Sequence, residues 1–562
     1  MDKKTRSFLL IAALALVVFG GAFAIISLTQ NVGKNRNQIT QEQAVEAMGR
    51  LHRGVQVSTL PPIKEPVDLA PADMKDTLPD ISKYPEQVTA NTADYVEIFS
   101  STEKAGTGKD GWLVDMANRF NSSGATVGGK AVSVSIRGIA SGLGCDYISS
   151  GKHLPDAFSP SNELWGDDLK AKGVPVTLVE QRLTGNVAGI ALSKAKQAEI
   201  IAKYGSVSVK SVAQATAAGE LTMGYTNPFA SSTGANFLMS LLYTYDAANP
   251  LGEAAAAEFM KFQANVPFVA YTTLQMKDSV KSGVLDGFVF EAQQFANSSD
   301  LVGNYVFTPY GVRHDSPVYE IGELTAQKKE ILRKFIDFCK TADAQKAATD
   351  CGFNRHDDYK MELTQVNGTQ LAQSQKLWKE KKDSNRDIIA VFVADTSGSM
   401  DGEPMNNLKK SLLSGANYIG QDASVGLVTF SDDVKIALPI GKFDINQRSL
   451  FTGAVKNMSA GGGTAMYDAI VVAEKMLQDA KADNPNAKLM LFVLSDGEAN
   501  AGYTLRDTQK MIEGLKVPIY TIGYNANLEA LAAISRINEA ASINADTDDV
   551  VYKIVSLFNA EM

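Results

Sequence analysis

The sequence predicts an α/β protein with two large domains, the second a doubly wound, mostly parallel sheet, preceded by one apolar helix long enough to span a membrane. Three observations predict it. The chain has 562 residues, more than one core holds when a domain usually runs to ~100–200 residues. Strand-like and helix-like stretches alternate from Tyr95 onward, the pattern of an α/β architecture. In the carboxyl-terminal third, "DIIAVFVA" and "KLMLFVLS" are nearly continuous apolar runs. Strands of that kind are covered on both faces, and right-handed crossovers then wind the sheet twice.

At the amino end, Lys3, Lys4 and Arg6 precede "FLLIAALALVVFGGAFAIISL", residues 8–28, which carries no charge. As a helix it would span ~31 Å, the thickness of a bilayer's hydrocarbon core. The positive flank predicts a cytoplasmic tail over 1–7. Ala22-Phe23-Ala24 is similar to a signal-peptidase site, but the apolar run continues through Ile25, Ile26 and Leu28, so an uncleaved anchor is expected, with the bulk of the chain outside the cytoplasm. Residues 29–93 read as a short helix over 40–52 and a linker stiffened by Pro61, Pro62, Pro66, Pro71 and Pro79, which would lift the rest off the membrane.

Composition narrows the function. A net charge of −9 without a long basic block argues against nucleic acid as a partner. The four histidines form no close ligand pair, so no zinc site is expected. Three cysteines make no disulfide framework. Cys339 and Cys351 lie at a spacing that permits one bridge; three buried thiols is the other reading.

Residues 94–360 form the first large domain. "YVEIFSS", "AVSVSI", "LTGNVAGIAL", "LTMGYTN" and "GVLDGFVFE" read as strands, and "DGWLVDMANRF" as a helix with Leu113, Met116, Ala117 and Phe120 on one face. A charged helical connector occupies 361–386. The second domain, 387–562, adds the strands "SVGLVTF" and "VPIYTIGY", with helices around 404–419 and 465–480.

Ligands of such a sheet bind beyond the carboxyl ends of its strands. Asp395 ends the first strand there, in "DTSGSM", and Asp496 ends another, in "LSDGE". Between them, "GGGTAMYDA" supplies a tight glycine loop and Thr464. The candidate set is Asp395, Ser397, Ser399, Thr464 and Asp496. Oxygen-only donors suit a hard divalent ion, Mg²⁺ first, then Mn²⁺ or Ca²⁺. Two carboxylates among three hydroxyls leave the ion electrophilic, so a carboxylate from another molecule takes an open position. Ser397 or Ser399 would also serve as a helix cap, but capping gives no role to Thr464 or Asp496. A phosphoryl-accepting Asp395 lacks the second Asp two residues on.

Together the three motifs resemble the von Willebrand factor A domain and its metal-ion-dependent adhesion site. The resemblance covers about 387–562 and fills all five positions. It implies a domain that grips an Asp or Glu of a protein partner through the metal.

The middle domain resembles bacterial extracellular solute-binding proteins, two-lobed and periplasmic-binding-protein-like, in "VEIFSSTEK", "LVDMANRFN", "IASG", "LPDAFSPSNELW", "MGYTNPFASSTGANFL" and "GVLDGFVFE". Ser100, Ser101, Ser141, Ser159, Ser161, Thr226, Ser231, Ser232 and Thr233 follow strands or start helices. Hydroxyls and free N–H groups at helix amino ends hold polar and anionic ligands, although such residues are also ordinary caps. Glu291 follows a strand and either reads an amine or faces solvent. "EKAGTGKD" is no phosphate loop, because the leading glycine is missing and Asp110 stands where Ser or Thr is needed. No G-x-S-x-G elbow occurs.

The expectation is a membrane-anchored extracytoplasmic binding and adhesion protein, not an enzyme. The alternatives are the substrate-binding component of an ABC-type transporter and an accessory factor for assembly of a membrane complex.

Overall fold

A computed structural model describes residues 39–67, 73–267, 269–270, 273–280, 285–363, 366–384, 386–497, 499–524, 528–535, 542–545 and 550–562. The expected tail 1–7 and anchor 8–28 lie outside the described residues. Among those described, no helix is long and apolar enough to cross a membrane.

The carboxyl-terminal domain is a seven-stranded sheet ordered 57–59, 434–442, 424–430, 388–395, 488–495, 519–524 and 542–545. All neighbours are parallel except the hairpin 424–430/434–442. The central strand Ile388–Asp395 is buried throughout, and its alternation feeds two cores. Ala390, Phe392 and Ala394 pack under the helices Glu403–Ala416, Ile445–Lys456 and Val550–Glu561. Ile389, Val391 and Val393 face Met466–Asp483 and Leu505–Leu515. A period of two side chains, apolar on both faces, is what forces helices onto both sides.

The segment expected as a free spacer is built into this domain. Thr40 caps the helix Gln41–His52 through a reciprocal box with Gln43, and Ala44 and Met48 enter the second core. The helix begins beside Gly514, whose added Cβ would meet Ala44 and Ile39, and ends where the Tyr503 hydroxyl donates to Leu51 O. Val57–Thr59 then adds a parallel edge strand to Val434–Ile436. Farther on, Glu65 N–H donates to Ser449 O and Ser449 Oγ donates to Glu65 O. The prolines stiffen a strap held against the sheet edge; the backbone groups a spacer would leave to water are satisfied there.

The middle domain has two lobes. One is the sheet 86–88, 130–138, 94–100, 157–159, 318–321 and 176–180; the other is 269–270, 223–226, 287–291, 187–193 and 305–313. The chain passes between lobes twice, after Val176–Glu180 and after Tyr305–Arg313. All three cysteines are free thiols, so Cys339 and Cys351 are not bridged.

The connector is a helix, Gly368–Lys381, capped by Asn367. Its Trp378 is fully buried in the second lobe's core, where the indole N–H donates to Tyr225 Oη at 2.6 Å. Gln375 Nε2 donates to Pro228 O at 2.8 Å. Just beyond the helix, Asp383 bridges Lys382 and Lys488, each at 2.8 Å, which ties the connector to the far sheet. Lysine burial at this joint pushes Lys379 down to about 7 and Lys382 down to about 8.

Candidate functional site

The strand pairing fixes where the candidate metal-site residues lie. Asp395 pairs with Phe430 and Ser495 with Gly523, so Asp395 and the Ser495–Asp496 turn emerge from neighbouring parallel strands at one rim. Asp395 is fully buried. Its Oδ1 accepts from the Ser397 N–H at 2.7 Å, and its Oδ2 from the Ser495 hydroxyl. Ser397 Oγ and Ser399 Oγ are 3.1 Å apart, and Ser399 Oγ donates to Asp496 Oδ1 at 2.9 Å. Four predicted residues therefore form one hydrogen-bonded run.

Thr464 comes from the glycine loop, which two backbone bonds clip to the first motif. Gly398 N–H donates to Gly462 O at 3.0 Å, and Gly461 N–H to Thr396 O at 2.9 Å. Gly462 has φ +83°, and a Cβ there would meet an Asp432 carboxylate oxygen at 2.5 Å. The loop needs glycine for both reasons. Thr464 itself is buried, with its N–H donating to Asn500 Oδ1 at 2.8 Å.

Three supporting residues escape sequence reasoning. Ser495 holds Asp395, Asp432 accepts from Gly463 N–H at 2.8 Å, and Asn500 holds Thr464. Ser495 had a signal, since it is the last strand residue before Asp496. Asp432 and Asn500 lie in loops where Asp and Asn are commonplace.

Burial, opposed by hydrogen bonds from Ser397 and Ser495 and aided by the charge of Asp496, raises the Asp395 carboxyl above its usual range. Among the described residues, no Lys or Arg forms an ion pair with Asp395 or Asp496. Among the described residues, no group of three or more His, Cys, Asp and Glu is placed to hold a metal ion by itself. The donor set is thus two uncompensated carboxylates and three hydroxyls, which fits a hard divalent cation and no soft one.

The second site lies between the lobes. Seven predicted residues, Ser101, Ser141, Ser161, Ser231, Ser232, Thr233 and Glu291, line one cleft of about 40 Å³. Ser100, Ser159 and Thr226 are buried behind its wall. Thr226 Oγ1 donates to Ser231 Oγ at 2.9 Å, and Ser159 O accepts from Lys104 Nζ at 2.9 Å. The lobes are drawn together across the cleft: Gly142 N–H donates to Ala230 O at 3.4 Å, and Trp165 Nε1 to Ser232 Oγ at 2.8 Å. Sequence reading missed Thr102, Glu103 and Thr273 in the lining. Glu103 and Lys104 lie in the stretch dismissed as a phosphate loop, and no periodicity marks them as buried.

Residues 390–557 match the family model for the von Willebrand factor type A domain, and residues 105–354 that for the bacterial extracellular solute-binding protein. The chain therefore joins a solute-binding-type domain to a von Willebrand factor type A domain. Inter-alpha-trypsin inhibitor heavy chain H3 of Bos taurus is 30% identical over 149 residues, which cover 25% of this chain and 16% of that protein. The Homo sapiens collagen alpha-5(VI) chain is 28% identical over 159 residues, 27% of this chain and 6% of that one. This chain thus spans only a small part of the curated relatives it matches. Among solved structures, iron-bound HitA from Pseudomonas aeruginosa has 13% identity and a TM-score of 0.36, over 52% of this chain and 99% of that one. A von Willebrand factor type A protein from Catenulispora acidiphila has 19% identity and a TM-score of 0.29, over 31% and 42%. Both matched domains are binding types.

Proposed function

We propose that this protein is a membrane-anchored extracytoplasmic binding and adhesion protein. Its type A domain holds a divalent cation, Mg²⁺ first, and through it a carboxylate of a protein partner. Asp395, Ser397, Ser399, Thr464 and Asp496 are the residues that would hold the ion. Bound there, the ion supplies a Lewis-acidic position open to an outside oxygen ligand. The chain's own contribution is to present these oxygens already ordered: Ser495 and the Ser397 N–H fix the Asp395 carboxylate, and Ser399 fixes Asp496. The observation that carries this reading is the hydrogen-bonded run from Asp395 to Asp496, with which no cationic side chain among the described residues forms an ion pair.

The middle domain, on this reading, takes a small solute between its lobes. The apolar segment 8–28 and its basic flank support the anchor and the extracytoplasmic placement. Crosslinked capture of partners from the native membrane, with and without chelator, tests the adhesion reading. A partner lost both on chelation and in Asp395→Ala is the expected result. A partner retained in both overturns it.

A further inference from the structure

The charge of the interlobe cleft decides what class of solute it accepts, given that it accepts one, as proposed above. Its lining carries two formal charges, the carboxylates of Glu103 from one lobe and Glu291 from the other. Both are buried, at 6% and 3% exposure. The two nearest candidates for compensation are Lys104, whose ammonium lies 3.5 Å from Glu103 Oε1 and offsets one of the two charges from behind the wall, and His314, which adds no cation.

Lys104 is fully buried behind the wall. Its ammonium donates to Ser101 Oγ, to Ser159 O at 2.9 Å and to Pro160 O at 3.3 Å. An ammonium has three N–H donors, so none is left to bind an anion in the cleft. Burial also lowers its basicity, against the pull of Glu103 and Glu291.

His314 is held as the neutral imidazole. Asn236 Nδ2 donates to Val312 O at 2.9 Å while its Oδ1 accepts from Val312 N–H at 2.9 Å, which fixes that amide's orientation. Asn162 is fixed the same way by Leu164 N–H donating to its Oδ1 at 3.2 Å. Both amide nitrogens then face His314 Nε2, at 3.1 and 3.0 Å. A nitrogen met by two donors is an acceptor, so the proton is on Nδ1, which donates to Glu291 Oε1 at 2.7 Å. Thr233 Oγ1 and Asn186 Nδ2 also donate to Glu291, each at 3.0 Å. Three donors around one carboxyl group is the arrangement of the ionised form.

Two carboxylates against one buried lysine leave the cleft net negative. Against that stand the amino ends of the helices Ser141–Ser150 and Ser232–Tyr245, neither closed by a side-chain cap, which carry partial positive charge. We propose that the cleft takes a small zwitterion of amino-acid type, its ammonium between Glu103 and Glu291 and its carboxylate at the two helix ends. Fully ionised dianions of the sulfate kind are rejected. The volume of about 40 Å³ corresponds to roughly three water positions, which suits a solute of a few heavy atoms. The ammonium also joins carboxylates from opposite lobes, so binding favours the closed form.

Calorimetry on the full-length chain tests this, with chelator present to keep the metal loops from binding carboxylates. The probes are glycine, acetate and sulfate. Glycine differs from acetate by the ammonium, and the expected preference is about tenfold or more, the size of one charge-assisted hydrogen bond. Glu291→Gln and, independently, Glu103→Gln are each expected to erase that preference. Acetate or sulfate binding as tightly as glycine overturns the charge assignment and leaves a solute-binding domain standing. Binding of none of the three overturns the solute-binding reading together with it.

Discussion

At the rim of the carboxyl-terminal sheet, Asp395 and Asp496 meet hydroxyls, with no ion-paired cation among the described residues; in the interlobe cleft, Glu103 is paired with the buried Lys104 and Glu291 meets donors that are already committed. Both sites are built from short side chains placed just after strands. They differ in what closes them. The rim is formed by loops of one sheet, so its oxygens converge whatever the middle domain does. The cleft is made by two separate sheets and exists only while the lobes are held together by bonds such as Gly142 to Ala230 and Trp165 to Ser232. One site therefore lacks a counter-charge and has its geometry; the other depends on closure for its geometry.

Substituting each site in turn gives the widest separation. Asp395→Ala is expected to abolish Mg²⁺ uptake, a loss of about 100-fold or more, since even outer partners of metal ligands cost 10–100-fold. Glu291→Gln should leave that uptake unchanged, as read by calorimetry with Mg²⁺. Uptake altered equally by both would break the distinction between a self-contained rim and an independent cleft.

Next in size is Trp378→Ala, expected to cost about 3–5 kcal/mol in denaturant unfolding of the middle domain. The indole fills the second lobe's core and donates to Tyr225. If the rim is self-contained, Mg²⁺ affinity stays at the wild-type value in this variant.

A pH series separates the domains by a different route. Glu474 on the helix Met466–Asp483 is fully buried, and burial pushes its carboxyl from 4.5 up to about 8. Between those values the unfolded chain releases the proton and the folded chain keeps it. Stability therefore falls as pH rises across that window and is level below it. The loss reaches a few kcal/mol, because each tenfold difference in proton affinity between the two states is worth about 1.4 kcal/mol. Glu474→Gln should flatten the slope for the carboxyl-terminal domain in thermal melts from about pH 5 to pH 8, the window in which this linkage acts. The middle domain's transition should not move with this substitution.

The smallest effect is Ser495→Ala. It removes one hydrogen bond to Asp395, and about a tenfold loss of Mg²⁺ affinity is expected with the fold retained. An unchanged affinity would mean that the backbone alone orders the carboxylate.

The two sites were not equally legible in the sequence. The candidate metal-site residues sit at motif positions on the ends of strongly apolar strands, where local pattern fixes both element and edge; the five therefore fall at one rim. In the cleft, the serines and threonines at strand and helix ends were readable, but Ser100, Ser159 and Thr226 carry the same local signal and lie behind the wall. Glu103 shows the opposite failure, a wall residue in a loop with no pattern to place it. Proline content predicted a spacer within 29–93, and over Val57–Thr59 and at Glu65 a strap formed instead because an open sheet edge offers hydrogen bonds that a solvated chain does not.

What the sequence determined alone is the α/β alternation, the two-domain division and the oxygen donors at the ends of Ile388–Asp395 and Lys488–Ser495, because each follows from side-chain periodicity and strand termini. The tertiary structure alone decided that Gln41–His52 and Val57–Thr59 complete the carboxyl-terminal domain, that Trp378 belongs to the second lobe, and that His314 lies against Glu291. Those outcomes depend on backbone and side-chain groups far apart in the chain finding partners, and no local pattern encodes such pairings.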